Sequence, residues 1–160
     1  MNNLIYISGA LSDVPATIRQ QYLDFYEAIG NLVSDIGLVP YVPHLNTDPV
    51  RHKHVTPGQV DFIDRTAVTS AILVIAVADN PSLGVGIEVE MAYHAAKPVV
   101  LVCQQQLLEQ RRISRLIRGN PAVTRELSYS DFPDALTQLK EFLVTFIKER
   151  SESILPATLQ

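Results

Sequence analysis

Ala71–Ala78 is apolar at every position and lacks the alternation of a strand with one wet face. A strand of this kind needs cover on both faces, which places it inside a parallel sheet with helices packed on either side. The rest of the chain supplies the partners. Leu4-Ile5-Tyr6-Ile7 reads as a second buried strand running into the loop Ser8-Gly9-Ala10. Pro15 opens a helix whose apolar residues Ile18, Tyr22, Phe25, Ile29, Leu32, Val33 and Ile36 recur at spacings of three and four, and Gly37 stops it. Leu38–Val42 is a strand ended by Pro43, and His44–Val55 is a polar, unpatterned loop of functional length. Thr56-Pro57 is an N-cap followed by proline at the first helical position, with Val60, Ile63 and Ala67 on one face behind it. After a turn over Asp79–Leu83, Gly84–Ala96 reads as a helix and Val99–Val102 as a strand. Leu107–Ile117 is predicted helical, Gly119-Asn120-Pro121 ends it, and Val123–Tyr129 is a short fifth strand. A last helix over Asp131–Glu149 carries Ala135, Leu139, Phe142, Leu143 and Ile147. Residues 1–150 are expected to form one domain and residues 151–160 a flexible tail.

Strands alternating with helices predict a doubly wound α/β fold, flavodoxin-like or Rossmann-like, with a five-stranded parallel sheet sandwiched by helices. Such sheets bind ligands beyond the carboxyl ends of their strands, near the switch in strand order. Here that edge consists of Ser8–Asp13, Pro43–His54, Ala78–Gly86 and Cys103–Gln106. Composition narrows the ligand. With 47% apolar and 19% charged residues the chain is not of the disordered class, and 13 Lys+Arg against 17 Asp+Glu leave no overall basic surface for a nucleic-acid polymer. Ala71–Ala78 is the longest apolar run, far below the ~20 residues that span a bilayer. Met1-Asn2-Asn3 does not read as the start of a signal peptide, and the single cysteine, Cys103, forms neither a disulfide framework nor a CxxC pair, so a cytoplasmic location is expected.

The segment most informative about chemistry is Asn80-Pro81-Ser82-Leu83-Gly84-Val85-Gly86-Ile87-Glu88. Gly84 and Gly86, between a buried strand and a helix, let the backbone approach a ligand at a helix N-terminus. Glu88 falls in the first turn of a helix beginning at Gly84 and heads a stripe of Met91, Ala92 and Ala95. A carboxylate so placed is a candidate nucleophile or base, or a helix-start glutamate satisfying backbone amides. Asp64 also borders an apolar face, made by Val60, Ala67 and Val68, whereas Asp61 pairs outward with Arg65. Two carboxylates at separate strand ends are able to divide the work of glycosyl transfer, one attacking and one handling the leaving group. The alternative for Asp64 is a solvated helix residue.

Other features carry less. Gly84-x-Gly86 lacks the third glycine of a dinucleotide fingerprint, a Walker A motif is absent, and neither this pattern nor any other calls for a cofactor. His52-x-His54 with His44 fits no zinc signature, so no metal is expected. Ser114-Arg115-Leu116-Ile117-Arg118 offers groups for a phosphate or is simply a charged helix face. His94 reads as structural and Cys103 as core.

Together, Ile5-Tyr6-Ile7-Ser8-Gly9, Asp64, Pro81–Glu88, Lys97-Pro98-Val99 and Ser114–Gly119 resemble the nucleoside 2-deoxyribosyltransferase superfamily, over about residues 4–120. Within it the chain is most similar to the branch of the 2′-deoxynucleoside 5′-phosphate N-hydrolases. The resemblance implies that Glu88 attacks the anomeric carbon, that Tyr6 orients Glu88, and that Asp64 holds the base and helps its departure. It further implies that Gly9 lines the sugar, that Ser82 contacts its 5′ end, and that His44 lies in the loop packed on the base. By the same resemblance Ser114 reaches into a neighbouring subunit's site, which makes the working form a homodimer at least. Nucleosides and free nucleobases are then the expected small-molecule partners.

The departures bear on substrate. In the nucleotide hydrolases the first loop supplies a serine and an arginine to the 5′-phosphate, where this chain has Ala10 and Ser12. Losing a guanidinium removes a charge-assisted contact worth roughly 1.5–3 kcal/mol, about ten- to a hundred-fold in affinity. Ser82 and Ser114 are hydrolase-like, and Arg115 or Arg118 offers a replacement charge, so the two signals oppose one another. The missing cation is given more weight, with Ser12 as a neutral contact. This predicts a nucleoside 2′-deoxyribosyltransferase, with a 2′-deoxynucleoside 5′-monophosphate N-glycosidase as the alternative and a non-catalytic nucleotide-sensing module as a third reading. Glu90, where the family has glycine, either disturbs the helix packing or is harmlessly exposed.

Overall fold

In the computed structural model, which describes residues 3–12 and 14–154, the apolar run places its strand β3 (Leu73–Val77) at the centre, buried at every position. β3 lies between β1 (Leu4–Ser8) and β4 (Val99–Gln104); β2 (Val39–Tyr41) and β5 (Val123–Tyr129) are the edges. The order is β2-β1-β3-β4-β5 and every pairing is parallel. Pro40, which cannot donate to a ladder, falls on the edge strand β2. This is the flavodoxin-like order, and the chain reverses its winding direction between β1 and β3, which fixes the switch point at their carboxyl ends.

Side-chain alternation divides the interior in two. Ile5, Ile7, Leu73, Ile75 and Val77 face α1 (Ala16–Asp35) and α7 (Phe132–Ile154), meeting Phe25, Ile29, Leu139 and Leu143. Tyr6, Val74, Ala76, Leu101 and Cys103 face α3 (Pro57–Ser70) and α4 (Leu83–His94), meeting Val68, Val85, Val89 and Ala92. The expected helix stop at Gly37 is real: this glycine takes φ +81°, the left-handed conformation that ends helices. The α3 start is stronger than its first two residues suggest, because Thr56 and Gln59 form a reciprocal capping box.

Three expectations need correction. Leu107–Ile117 is not one helix but two short ones, α5 (Gln105–Glu109) and α6 (Arg115–Arg118). Arg111 takes φ +56° while the amides of Arg111 and Arg112 donate back to Leu108 and Leu107, which closes α5; Ser114 then caps α6. The apolar spacing looks helical because Leu107, Leu108 and Ile117 of the two turns are half-buried and Ile113 between them is buried, at offsets that one continuous helix would also give. His44–Val55 is also more ordered than its pattern implies. It begins with a helical turn, α2 (His44–Thr47), and Asp48 then organises the chain by accepting the amides of Val50 (2.7 Å) and Arg51 (2.8 Å). Finally, α7 continues through Ile154, so residues 151–154 are helical; 155–160, the remainder of the expected tail, lie outside the described residues. Among the described residues, no helix is long and apolar enough to cross a membrane.

Candidate active site

The switch point is where the two carboxylates meet the sheet. Ser82 caps α4 by accepting the Val85 amide, so the helix starts at Leu83 and Glu88 falls in its second turn, not its first. Glu88 is therefore beyond the free amides of the helix start, and the helix-start alternative does not describe it. It shares a face with buried Val85 and Ala92, three residues before and four after, and this directs it onto β1. There Tyr6 donates its hydroxyl to Oε1 (2.7 Å) and Ser8 donates Oγ to Oε2. Both donors are fully buried, and both leave the same face of β1 because they are two residues apart. Burial pushes the Glu88 carboxyl up to about 7; the hydrogen bonds from Ser8 and Tyr6 oppose that rise, and the charge of Asp64 adds to it. The Tyr6 phenol is driven far above its ordinary value by burial and by the two carboxylates, so it stays a donor.

Asp64 is equally well held. It is 8% exposed, which sets aside the alternative of a solvated residue, and accepts the Tyr41 hydroxyl at Oδ1 (2.9 Å) and Thr47 Oγ1 at Oδ2 (3.4 Å). Burial raises its carboxyl, while the Tyr41 and Thr47 hydrogen bonds restrain the rise. The parallel register sets Tyr41 beside Tyr6, and the two rings stack with centroids 5.3 Å apart and planes 15° off parallel. The site thus consists of two carboxylate–tyrosine pairs joined by a ring stack. Asp61 pairs outward with Arg65 at 2.7 Å, as its spacing suggested.

No family model matches the chain. Over 112 residues it is 31% identical to a protein of Thermofilum pendens named "Putative 2'-deoxynucleoside 5'-phosphate N-hydrolase 1", a match spanning 67% of this chain and 75% of that one. The chain belongs to the nucleoside 2-deoxyribosyltransferase superfamily. Solved structures of the same fold include the CMP N-glycosidase of Clostridium botulinum, with a TM-score of 0.65 and 19% identity over 87% of this chain and 98% of that one. They also include the 2-desoxiribosyltransferase from Leishmania mexicana, with a TM-score of 0.55 and 13% identity over 87% and 97%.

The other residues singled out by the resemblance to this superfamily are more dispersed. Gly9 follows β1, where a Cβ would lie 2.3 Å from the ring of buried Tyr26, so packing alone demands glycine there. Gly84 and Gly86 sit in the first turn of α4; a Cβ at Gly86 would meet nothing within 4 Å and one at Gly84 only Ser82 Oγ at 3.6 Å, so neither is required by packing within the chain. Ser12 is exposed in the loop after β1. His44 does not join the crevice. Its ring is fully buried, bonds Glu27 at 2.9 Å and packs against Tyr26, because the helical turn α2 draws it toward α1. Ser114 is an exposed N-cap, accepting the Ile117 amide at 3.4 Å. Arg118 forms a two-pronged pair with Glu126 (2.6 and 3.1 Å), which engages one of the two charges offered as a phosphate replacement; the other, Arg115, is exposed. Glu90 is exposed and tethered to Asn120 and His94, so it leaves the α4 packing intact.

Sequence reasoning missed Ser8, Tyr41 and Thr47, the groups that hold the carboxylates, and also Asp79. Asp79 follows β3 and is buried on the other side of the sheet. It accepts the Gln104 amide (2.6 Å) and the hydroxyls of Tyr22 (3.2 Å) and Tyr129. It thereby ties the ends of β3, β4 and β5 to α1 and anchors the turn that launches α4 with Glu88. A second brace crosses the β1 loop: Arg19 pairs with Asp48 at 2.5 Å and reaches the Leu11 carbonyl at 3.4 Å.

Proposed function

We propose that this chain cleaves the N-glycosidic bond of 2′-deoxynucleosides and passes the deoxyribosyl unit to a second base, by a retaining double displacement on Glu88. The observation that carries the reading is the Glu88 carboxylate, half-buried at the β1–β3 switch point and held at both oxygens by hydroxyls. In the first step a Glu88 oxygen bonds to C1′ as the C1′–N bond breaks. The electron pair leaves with the base, which takes a proton from the Asp64 carboxyl. In the second step a ring nitrogen of the incoming base attacks C1′ from the original face and the ester C–O bond breaks. The carboxylate is restored, and the proton of the incoming base returns to Asp64. Without a 2′-hydroxyl the oxocarbenium-like transition state forms more easily, so 2′-deoxynucleosides react faster than ribonucleosides.

The preference for nucleosides is supported by the neutral first loop, where Ala10 is buried and Ser12 carries no charge, and by the engagement of Arg118 with Glu126. The Thermofilum relative favours a second reading, in which water replaces the second base and the substrate carries a 5′-phosphate. In both readings Ser82, Gly84 and Gly86 face the sugar's 5′ end, and exposed Ser114 completes the site of a neighbouring copy in a homodimer or larger assembly. The deciding experiment incubates the protein with 2′-deoxyadenosine or its 5′-monophosphate plus a free second base and follows products by chromatography. Exchange on the nucleoside supports transfer. Free base and deoxyribose phosphate from the monophosphate alone establish the second reading, and binding without product overturns both.

A further inference from the structure

We propose that Ser8 is a positioning residue for Glu88, clamping with Tyr6 both oxygens of its carboxylate. The inference rests on Glu88 being the nucleophile and goes beyond that reading by assigning a role to a residue to which the resemblance gives none. Ser8 is the one hydroxyl-bearing aliphatic position in the strand Leu4-Ile5-Tyr6-Ile7-Ser8, and it is fully buried. A buried hydroxyl is costly unless it is paired, and an alanine would fill the strand without that cost. The pairing is with Glu88 Oε2, across 80 residues of sequence. Register places Ser8 opposite Ala76 and Tyr6 opposite Val74 on β3, which supplies no competing partner to either hydroxyl, and Tyr41, opposite Tyr6 on β2, donates its hydroxyl to Asp64 instead.

The terminal torsion of a glutamate is broad, and one hydrogen bond leaves its carboxylate free to swing. Two donors from one strand, one on each oxygen, fix the plane that C1′ must approach. They also act on charge. Forming the ester removes the negative charge from Glu88, and breaking it returns the electron pair to the carboxylate opposite the same two hydroxyls. Both donors therefore favour the carboxylate over its acid and its ester. The groups in hydrogen-bonding or electrostatic reach of Glu88 are Tyr6 and Ser8 of β1, Tyr41 of β2, Tyr26 of α1 and Asp64 of α3. Among these, Ser8 and Tyr6 oppose the upward push of burial and Asp64 adds to it.

The test is a titration of the Glu88 carboxyl by NMR in protein carrying 13C-labelled glutamate, the resonance assigned by its loss in E88Q, in wild type, S8A, S8C and S8T. The expected result is a midpoint displaced upward by about one pH unit or more in S8A. S8C, which keeps the volume with a poor donor, shifts in the same direction, and S8T returns the midpoint to the wild-type value. The acid limb of the kcat/KM profile moves with the midpoint, on whichever of 2′-deoxyadenosine and its 5′-monophosphate the wild type turns over, while melting temperatures do not follow that pattern. A midpoint unmoved in S8A and S8C, or a limb that stays put while the midpoint moves, overturns the proposal. Undiminished turnover in E88Q instead overturns the reading of Glu88 as nucleophile, so the two failures are distinguishable.

Discussion

Replacing Gly9 with alanine separates packing from substrate contact at the mouth of the site. A Cβ there would lie 2.3, 2.6 and 2.8 Å from Cζ, Cε1 and Cε2 of Tyr26. The ring has little room to retreat: it is 2% exposed, tilted against Phe25, and its hydroxyl bonds the Ala10 carbonyl at 3.3 Å. Overpacking of this kind costs about 1–3 kcal/mol, and displacing the hydroxyl adds about 1 kcal/mol. Thermal unfolding should show G9A melting roughly 5–15 °C below wild type. In a Tyr26→Leu background, which clears the overlapping atoms, the same substitution should cost less than about 1 kcal/mol. If G9A melts like the wild type while its KM for nucleoside rises, sugar contact and not Tyr26 demands the glycine, and the packing argument is refuted.

Two further outcomes follow from the carboxylates. Burial raises Glu88 to about 7, and a carboxyl raised above its unfolded value favours folding when protonated. Stability is therefore lost as pH climbs from the ordinary carboxylate range to about 7, and E88Q should match wild type near pH 4 yet exceed it by about 2–3 kcal/mol at pH 8; a difference that does not vary with pH would contradict this. D64N removes the group that exchanges protons with the base and should lower kcat by about 10²-fold or more, with its melting temperature measured alongside to confirm folding. A variant with unchanged kcat would remove Asp64 from the mechanism.

Much of the architecture was legible because one property, burial on both faces of Ala71–Ala78, forces a parallel sheet and with it the edge where a ligand binds. Glu88 and Asp64 were legible because each carboxylate interrupts an apolar helical face. Their partners were not. Ser8 reads as the start of a loop, and Tyr41 becomes a ligand of Asp64 only through the β1–β2 register that stacks it on Tyr6. Asp79 looks like a turn residue until the hydroxyls of Tyr22 and Tyr129, distant in sequence, converge on it. His44 shows the reverse: its position in a strand-end loop suggested the crevice, and a single helical turn sends it into the core beside Tyr26. The break between α5 and α6 escaped periodicity because an arginine, not a glycine, takes the left-handed conformation at position 111.

The central claim is the covalent bond to Glu88, and the most direct measurement is to trap it. The protein is mixed briefly with 2′-deoxyadenosine or its 5′-monophosphate, quenched in acid, and analysed by intact mass and peptide mapping. The account predicts one deoxyribosyl unit, phosphorylated or not according to the substrate, on the peptide carrying Glu88, and none in E88A. An adduct on another residue, or turnover that survives in E88A, would contradict it.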